Sequence, residues 1–189
     1  MRRLSGTKLY AVRHHLKKGG VIAYPTESCF GVGGLPFHTK ALRQILRLKK
    51  RPMNKGMIVV GGKIEQLQAL TLFRQPEKWQ ELKQQWQKTH TSFLLPANKN
   101  KALPTLRGTG RQNLCVRIPC HLGVQNLCND LHTALVSTSA NRSHAKPCRN
   151  EREAKRLFGK KAMTISGKIG KYRSPSKIID WQSGEVVRG

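Results

Sequence analysis

Gly19-Gly20-Val21-Ile22-Ala23-Tyr24-Pro25 is the stretch on which the reading of the fold turns. Two glycines stop a helix, four apolar residues make a short buried strand, and the proline ends that strand. In front of it, Leu9, Val12 and Leu16 share one helical face over residues 8–18, with Lys8, Arg13, Lys17 and Lys18 elsewhere. A helix, a glycine stop and a buried strand make one α/β step, and the chain repeats that step.

Residues 26–39 read as a glycine-rich loop through Gly31, Gly33 and Gly34, and residues 40–50 as a second helix with Leu42, Ile45, Leu46 and Leu48 on its apolar side. Met57–Val60, Ser92–Leu95, Leu114–Ile118 and Ala134–Ser137 read as strands, and Met163–Ile165, Lys177–Ile179 and Val186-Val187 as short late ones. Residues 64–71, 76–87, 123–132 and 150–158 carry helical patterns. The interleaving predicts a single α/β domain over residues 1–189, with a twisted mixed sheet and flanking helices. In such sheets ligands bind at strand ends.

No apolar run reaches the roughly 18 residues that span a membrane, and Met1-Arg2-Arg3-Leu4 is not followed by the apolar stretch of a secretion leader. A cytoplasmic location is the expectation. Cys29, Cys115, Cys120, Cys128 and Cys148 are odd in number and contain no CxxC, which argues for reduced thiols. Cys115, Cys120, His121 and Cys128 match no common zinc spacing. No P-loop and no GxGxxG occurs, so neither of those nucleotide motifs is in play, and no zinc, flavin or nicotinamide site is expected. Trp79, Trp86 and Trp181 are scattered and form no stacking ladder for single strands.

The net charge of +27 suits a polyanionic partner, although a uniformly basic solvated surface would give the same number. Lys40, Arg43, Arg47 and Lys50 line one helical face, and Arg152, Lys155 and Arg156 line another. Both are candidate RNA contacts.

Two segments are built for phosphate. Lys49 and Arg51 close the second helix before Pro52, where cations offset the helix dipole but equally suit phosphate oxygens, with Lys55 just beyond. Ser137-Thr138-Ser139-Ala140-Asn141 follows an apolar strand and carries more hydroxyls than a single cap needs. Glu27, one of nine acids, stands where the first strand meets the loop, open to a metal, a substrate amine or a salt bridge.

The segments GGVIAYPTESCFGVGG (19–34), LKKRPMNKGMIVV (48–60), LCVRIP (114–119), LVSTSANRSHAKPC (135–148) and SPSKIID (174–180) resemble the YrdC family in order and spacing, from about Lys18 onward. The resemblance implies a sheet curved around a basic concave cavity. It also implies an enzyme that joins L-threonine, bicarbonate and ATP into threonylcarbamoyl-adenylate with release of pyrophosphate. A separate transferase complex then moves the threonylcarbamoyl group to tRNA beside the anticodon. By the same resemblance Lys49 and Arg51 hold the triphosphate, Ser139 and Asn141 bind nucleotide phosphates, and Lys55, Thr91, Arg117 and Arg188 join the ATP site. Thr26, Ser28, Ser137 and Ser176 form the threonine pocket, and Mg²⁺ comes with the nucleotide. The family's Trp-Pro-Gly-Pro turn is absent, since residues 86–91 are Trp-Gln-Lys-Thr-His-Thr, and the lost prolines remove backbone constraint there. The rival reading is a non-catalytic factor of the same fold for double-stranded RNA or ribosome maturation, for which charge alone would suffice.

Overall fold

The computed structural model describes residues 3–189; Met1 and Arg2, on which part of the leader reading rests, lie outside them. The helices are α1 (Gly6–Lys17), α2 (Thr39–Lys49), α3 (Glu65–Gln68), α4 (Pro76–Lys88), α5 (Pro104–Arg107), α6 (Leu122–Leu131) and α7 (Glu151–Phe158). The strands are β1 (Ile22–Pro25), β2 (Phe30–Gly33), β3 (Ile58–Val60), β4 (Thr91–Pro96), β5 (Asn113–Arg117), β6 (Leu135–Ser139), β7 (Met163–Thr164), β8 (Lys177–Asp180) and β9 (Val186–Arg188). Among the described residues the strands form one sheet in the order β7-β1-β2-β6-β3-β5-β4-β8-β9. The sheet is mixed: β1–β7, β3–β5 and β4–β8 run parallel and the remaining neighbours antiparallel.

Strand alternation sorts the core into two layers. Val21, Ala23, Val59, Val116 and Val136 pack with Leu42 and Ile45 of α2, Trp79, Leu82 and Trp86 of α4, and Ala154 and Phe158 of α7. Ile22, Tyr24, Val60 and Leu135 pack on the other face with Val12 and Leu16 of α1 and Val124 and Leu127 of α6. That second face is covered at the β1 end of the sheet and left open over β5, β4 and β8, where the functional cavity lies.

Four sequence expectations change. The glycine-rich loop contains strand β2. A Cβ on Gly33 would overlap the Val136 carbonyl oxygen, and one on Gly31 would crowd Thr26 Cγ2 and Ser137 Oγ. Glycine there admits a neighbouring backbone rather than a turn. Strand β6 starts at Leu135 and runs through Ser139, so the serine-rich segment is largely strand. The tryptophans are not scattered in space: Trp79, Trp86 and Trp181 interlock with Phe73 and Phe93, ring centroids 5.4 to 6.4 Å apart. The proline-free segment after Trp86 is no loose loop either. Without Pro or Gly to stop it, α4 continues to Lys88 and closes with Thr89 bonding Gln85 O through both its backbone N and its Oγ1, each at 2.9 Å.

Candidate functional site

Helix α2 ends with Lys50 in the left-handed region (φ 48°), which turns the chain so that Arg51 N bonds Leu46 O at 3.0 Å. Pro52 follows, as is common after such a stop. The turn separates two cations of different use. Lys49 is buried, and its ammonium donates to the Ser139 carbonyl, to Asn141 O at 3.0 Å and to Asn141 Oδ1 at 2.9 Å. Burial, then the nearby Arg51 guanidinium, lowers its pKa to about 8. Lys49 therefore fixes the Ser139–Asn141 turn and is not among the residues that line the cavity. Ser139 Oγ donates to Asn141 Oδ1 at 2.7 Å, and Asn141 Nδ2 reaches Ala145 O, so the turn is a closed hydrogen-bonded knot.

The cavity itself is an open cleft of about 960 Å³ including its mouth. Of the residues expected from sequence, Thr26, Ser28, Arg51, Arg117, Ser137, Ser139, Ser176 and Arg188 all line it. They arrive from the β1–β2 connection, the α2 end, β5, β6, the lead-in to β8, and β9. Lys55 is exposed, and Asn141 lies outside the lining. Thr91 faces away. On β4 the alternation puts Thr91 with Phe93 on the α4 side, whereas Ser92 Oγ meets Ser176 Oγ at 2.9 Å beneath the cavity. A one-residue difference on a strand changes the face.

Glu27, left open between three roles, takes the salt bridge. Its Oε2 accepts from Arg117 Nη2 at 3.1 Å, both side chains buried, and its Oε1 from Cys120 N at 3.1 Å. Removing one partner of such a buried pair costs about 3–5 kcal/mol. Arg117 still has Nε and Nη1 buried without a hydrogen-bond partner, donors available to an anion in the cavity. Arg188 donates from Nε (3.2 Å) and Nη2 (2.7 Å) to Ser176 O, tying β9 to the β8 lead-in.

Sequence reasoning missed His90, Arg107, Arg111 and Cys115, which also line the cleft. His90 stacks on Tyr172 with centroids 4.2 Å apart, and burial together with Arg117 and Arg188 depresses its pKa to about 4, so it presents a neutral ring. Cys115 is pushed up to about 12, and Cys29 is also raised, in both cases first by burial, which leaves both as unreactive thiols. No aspartate or glutamate lines the cleft. Arg51 and Arg188 accordingly sit below the ordinary arginine range, through burial first and neighbouring guanidinium groups next.

The basic helix faces lie elsewhere. Lys40, Arg43, Arg47 and Lys50 are exposed on α2; Arg152, Lys155 and Arg156 are exposed on α7, with Lys155 paired to Glu151 at 2.6 Å. Gln44 Nε2 bonds Lys161 O at 2.8 Å, which ties α2 to the turn that follows α7. Cys115 faces the cleft from β5 whereas Cys128 is buried within the α6 packing, and among the described residues no helix is long and apolar enough to cross a membrane.

A family model named Sua5_yciO_yrdC, described as Telomere recombination, matches residues 14–189. The chain belongs to the Sua5/YciO/YrdC family. Its similar relatives within that family include the threonylcarbamoyl-AMP synthase of Neisseria meningitidis, 49% identical over 174 residues, covering 92% of this chain and 91% of that protein. The threonylcarbamoyl-AMP synthase of Laribacter hongkongensis is 46% identical over 187 residues, 99% of both chains. Among Sua5/YciO/YrdC structures, Pyrococcus abyssi Sua5 complexed with L-threonine superimposes with a TM-score of 0.84 at 24% identity, over 96% of this chain and 53% of that one. Escherichia coli YciO gives 0.80 at 22% identity, over 97% and 89%. These likenesses confirm the mixed α/β architecture expected of a Sua5/YciO/YrdC protein.

Proposed function

We propose that this chain is a threonylcarbamoyl-AMP synthase, a nucleotidyl-transferring enzyme that converts L-threonine, bicarbonate and ATP into threonylcarbamoyl-adenylate, pyrophosphate and water. One observation carries the reading: a single cleft gathers five arginines and the hydroxyls of Thr26, Ser28, Ser137, Ser139 and Ser176, with no carboxylate among them. Relatives at 46–49% identity over nearly their whole length bear that name.

The chemistry asks for such a cleft. The threonine amine attacks the bicarbonate carbon and water is lost, leaving a carbamate. A carbamate oxygen then forms a bond to the α-phosphorus, and the bond from that phosphorus to the bridging oxygen breaks, its electron pair leaving with pyrophosphate. Charge spreads over phosphoryl oxygens throughout, so fixed donors aimed at those oxygens lower the barrier. Arg51 would hold the triphosphate, with Lys49 and Asn141 keeping the Ser139 hydroxyl in place beside it. Arg117 and Arg188 would meet anionic groups deeper in the cleft. Thr26, Ser28, Ser137 and Ser176 would receive threonine, which they can hydrogen-bond at both hydroxyl and carboxylate. Mg²⁺ would be carried by the nucleotide and water. The lining offers hydroxyls and cations that fit phosphate, and no cluster of metal-ligating side chains occurs among the described residues. Lys55 would serve at the mouth. The product would pass in the cytoplasm to a threonylcarbamoyl transferase acting on tRNA, and the basic faces of α2 and α7 are where RNA would touch.

The test is pyrophosphate release from ATP with Mg²⁺, comparing L-threonine, L-serine and no amino acid, each with and without bicarbonate. Release that needs bicarbonate and prefers L-threonine is expected. Release indifferent to the amino acid would overturn the reading.

A further inference from the structure

Arg107 and Arg111 belong to no motif noted above, yet both line the cleft. They bracket the turn after α5, and that turn is laced to the loop that follows Arg51. Met57 N bonds Leu106 O at 2.8 Å, Thr109 N bonds Met53 O at 3.1 Å, and Arg111 Nε bonds Asn54 O at 3.1 Å. Gly108, at φ +93°, presses on Asn54 O, and Gly56 lies against the Arg107 carbonyl, so neither position has room for a side chain. Arg51 itself bonds the same loop, Nε to Lys55 O at 3.1 Å and Nη2 to Gly56 O at 2.6 Å. Arg107 is held by Ala102 O and by Arg111 O. Backbone carbonyls thus aim all three guanidinium groups. Among the described residues Arg51 Nη1, Arg107 Nη2 and both terminal nitrogens of Arg111 donate to no protein acceptor.

Strand β5 supplies a ruler. Arg111 precedes its first residue, Asn113, and Arg117 is its last, with Cys115 facing the cleft between them. Six residues of extended chain put Arg111 and Arg117 about 20 Å apart along the floor. Arg117 and Glu27 mark one end, the Ser137–Ser139 stretch of β6 lies alongside, and Arg51, Arg107 and Arg111 gather at the other end. In-line displacement needs the attacking and leaving oxygens on opposite sides of the α-phosphorus.

We propose that Arg107 and Arg111, together with Arg51, form the binding site of the departing pyrophosphate, on two interlocked loops at the end of the cleft away from Arg117. The inference rests on the synthase reading. As the phosphorus–oxygen bond breaks, charge accumulates on the leaving oxygen, and the open donors of these three arginines take it up.

The experiment measures binding of pyrophosphate and of AMP, separately, by calorimetry to the full chain and to Arg111→Ala and Arg111→Lys. Loss of charge-assisted bonds predicts pyrophosphate affinity lowered about tenfold or more in Arg111→Ala, with AMP affinity changed less than about twofold and a smaller pyrophosphate loss in Arg111→Lys. Equal loss of both ligands, or unchanged pyrophosphate binding, overturns the proposal. If Arg111→Ala fails to fold, Arg111→Lys decides alone: it keeps the charge but not the planar fork, so unaltered pyrophosphate binding there also overturns the proposal. A wild-type chain that binds neither ligand would sink the synthase reading and this inference together. A wild-type chain that makes the adenylate while Arg111→Ala binds pyrophosphate normally would sink only this inference.

Discussion

Lys49 shows how much a single position can hide. Its place before Arg-Pro suggests a free phosphate-binding cation, but all its bonds go to the Ser139–Asn141 turn. The consequence is measurable. Its folded pKa of about 8 lies below the ordinary 10.5. Between those values the unfolded chain binds the extra proton, so the contribution of Lys49 to stability rises with pH across that window and is least favourable below it. The gap is worth on the order of 3 kcal/mol. Urea unfolding at about pH 7 and about pH 10 should show the wild type gaining on Lys49→Met as pH rises; parallel curves would mean that Lys49 is not perturbed. Other residues were legible in different degrees. Arg51 and the Ser137–Ser139 hydroxyls are legible at a helix end and a strand end, whereas Arg117, Arg188 and Ser176 are reached only through the family resemblance. Thr91, drawn from the family resemblance, lies outside the lining because strand alternation puts it on the Phe93 side of β4, and the 86–91 segment alone does not display that register. Arg107 and Arg111 carry no spacing signal at all. They reach the cleft only because the loops at 53–57 and 106–111, distant in sequence, hydrogen-bond to each other.

At the scale of elements, β2 is the case where composition misleads. Three glycines in four residues look like a loop, yet Gly31 and Gly33 let β6 lie close enough for Thr26 and Ser137 to share the cleft. Gly33→Ala would drive a methyl group into the Val136 carbonyl, and overpacking against backbone in a sheet centre costs about 3 kcal/mol or more. The expected result is a lowered thermal midpoint and loss of threonine-dependent turnover together. A variant of unchanged stability would show that the β2–β6 contact can relax. Helix α7, by contrast, matches its expected span closely: the pattern over residues 150–158 becomes Glu151–Phe158, capped by Asn150 Oδ1 accepting from Glu153 N at 2.9 Å.

For the whole molecule, 36 basic and nine acidic side chains make self-repulsion a standing load on the folded state. Raising sodium chloride from about 10 mM to about 150 mM shortens the screening length from about 30 Å to about 8 Å. The thermal midpoint should climb, by about 3 °C for each kcal/mol of repulsion relieved. A flat response would mean that the charges are spread widely enough to ignore one another. The class of fold was legible because helix and strand periods alternate cleanly. The strand order was not, because pairings such as β4 with β8 join residues whose proximity no local pattern encodes. That order has a bearing on assembly. Strand β6 joins β2 through Gly31–Ser139 and β3 through Ile58–Ser137, so it is the seam between the two parts of the sheet. Until residues 135–139 slot into place, β2 and β3 are open edges and the serine hydroxyls have no cleft to face. Competence to activate a nucleotide therefore arrives together with closure of the sheet, and a half-folded chain has no partial site in which to squander ATP.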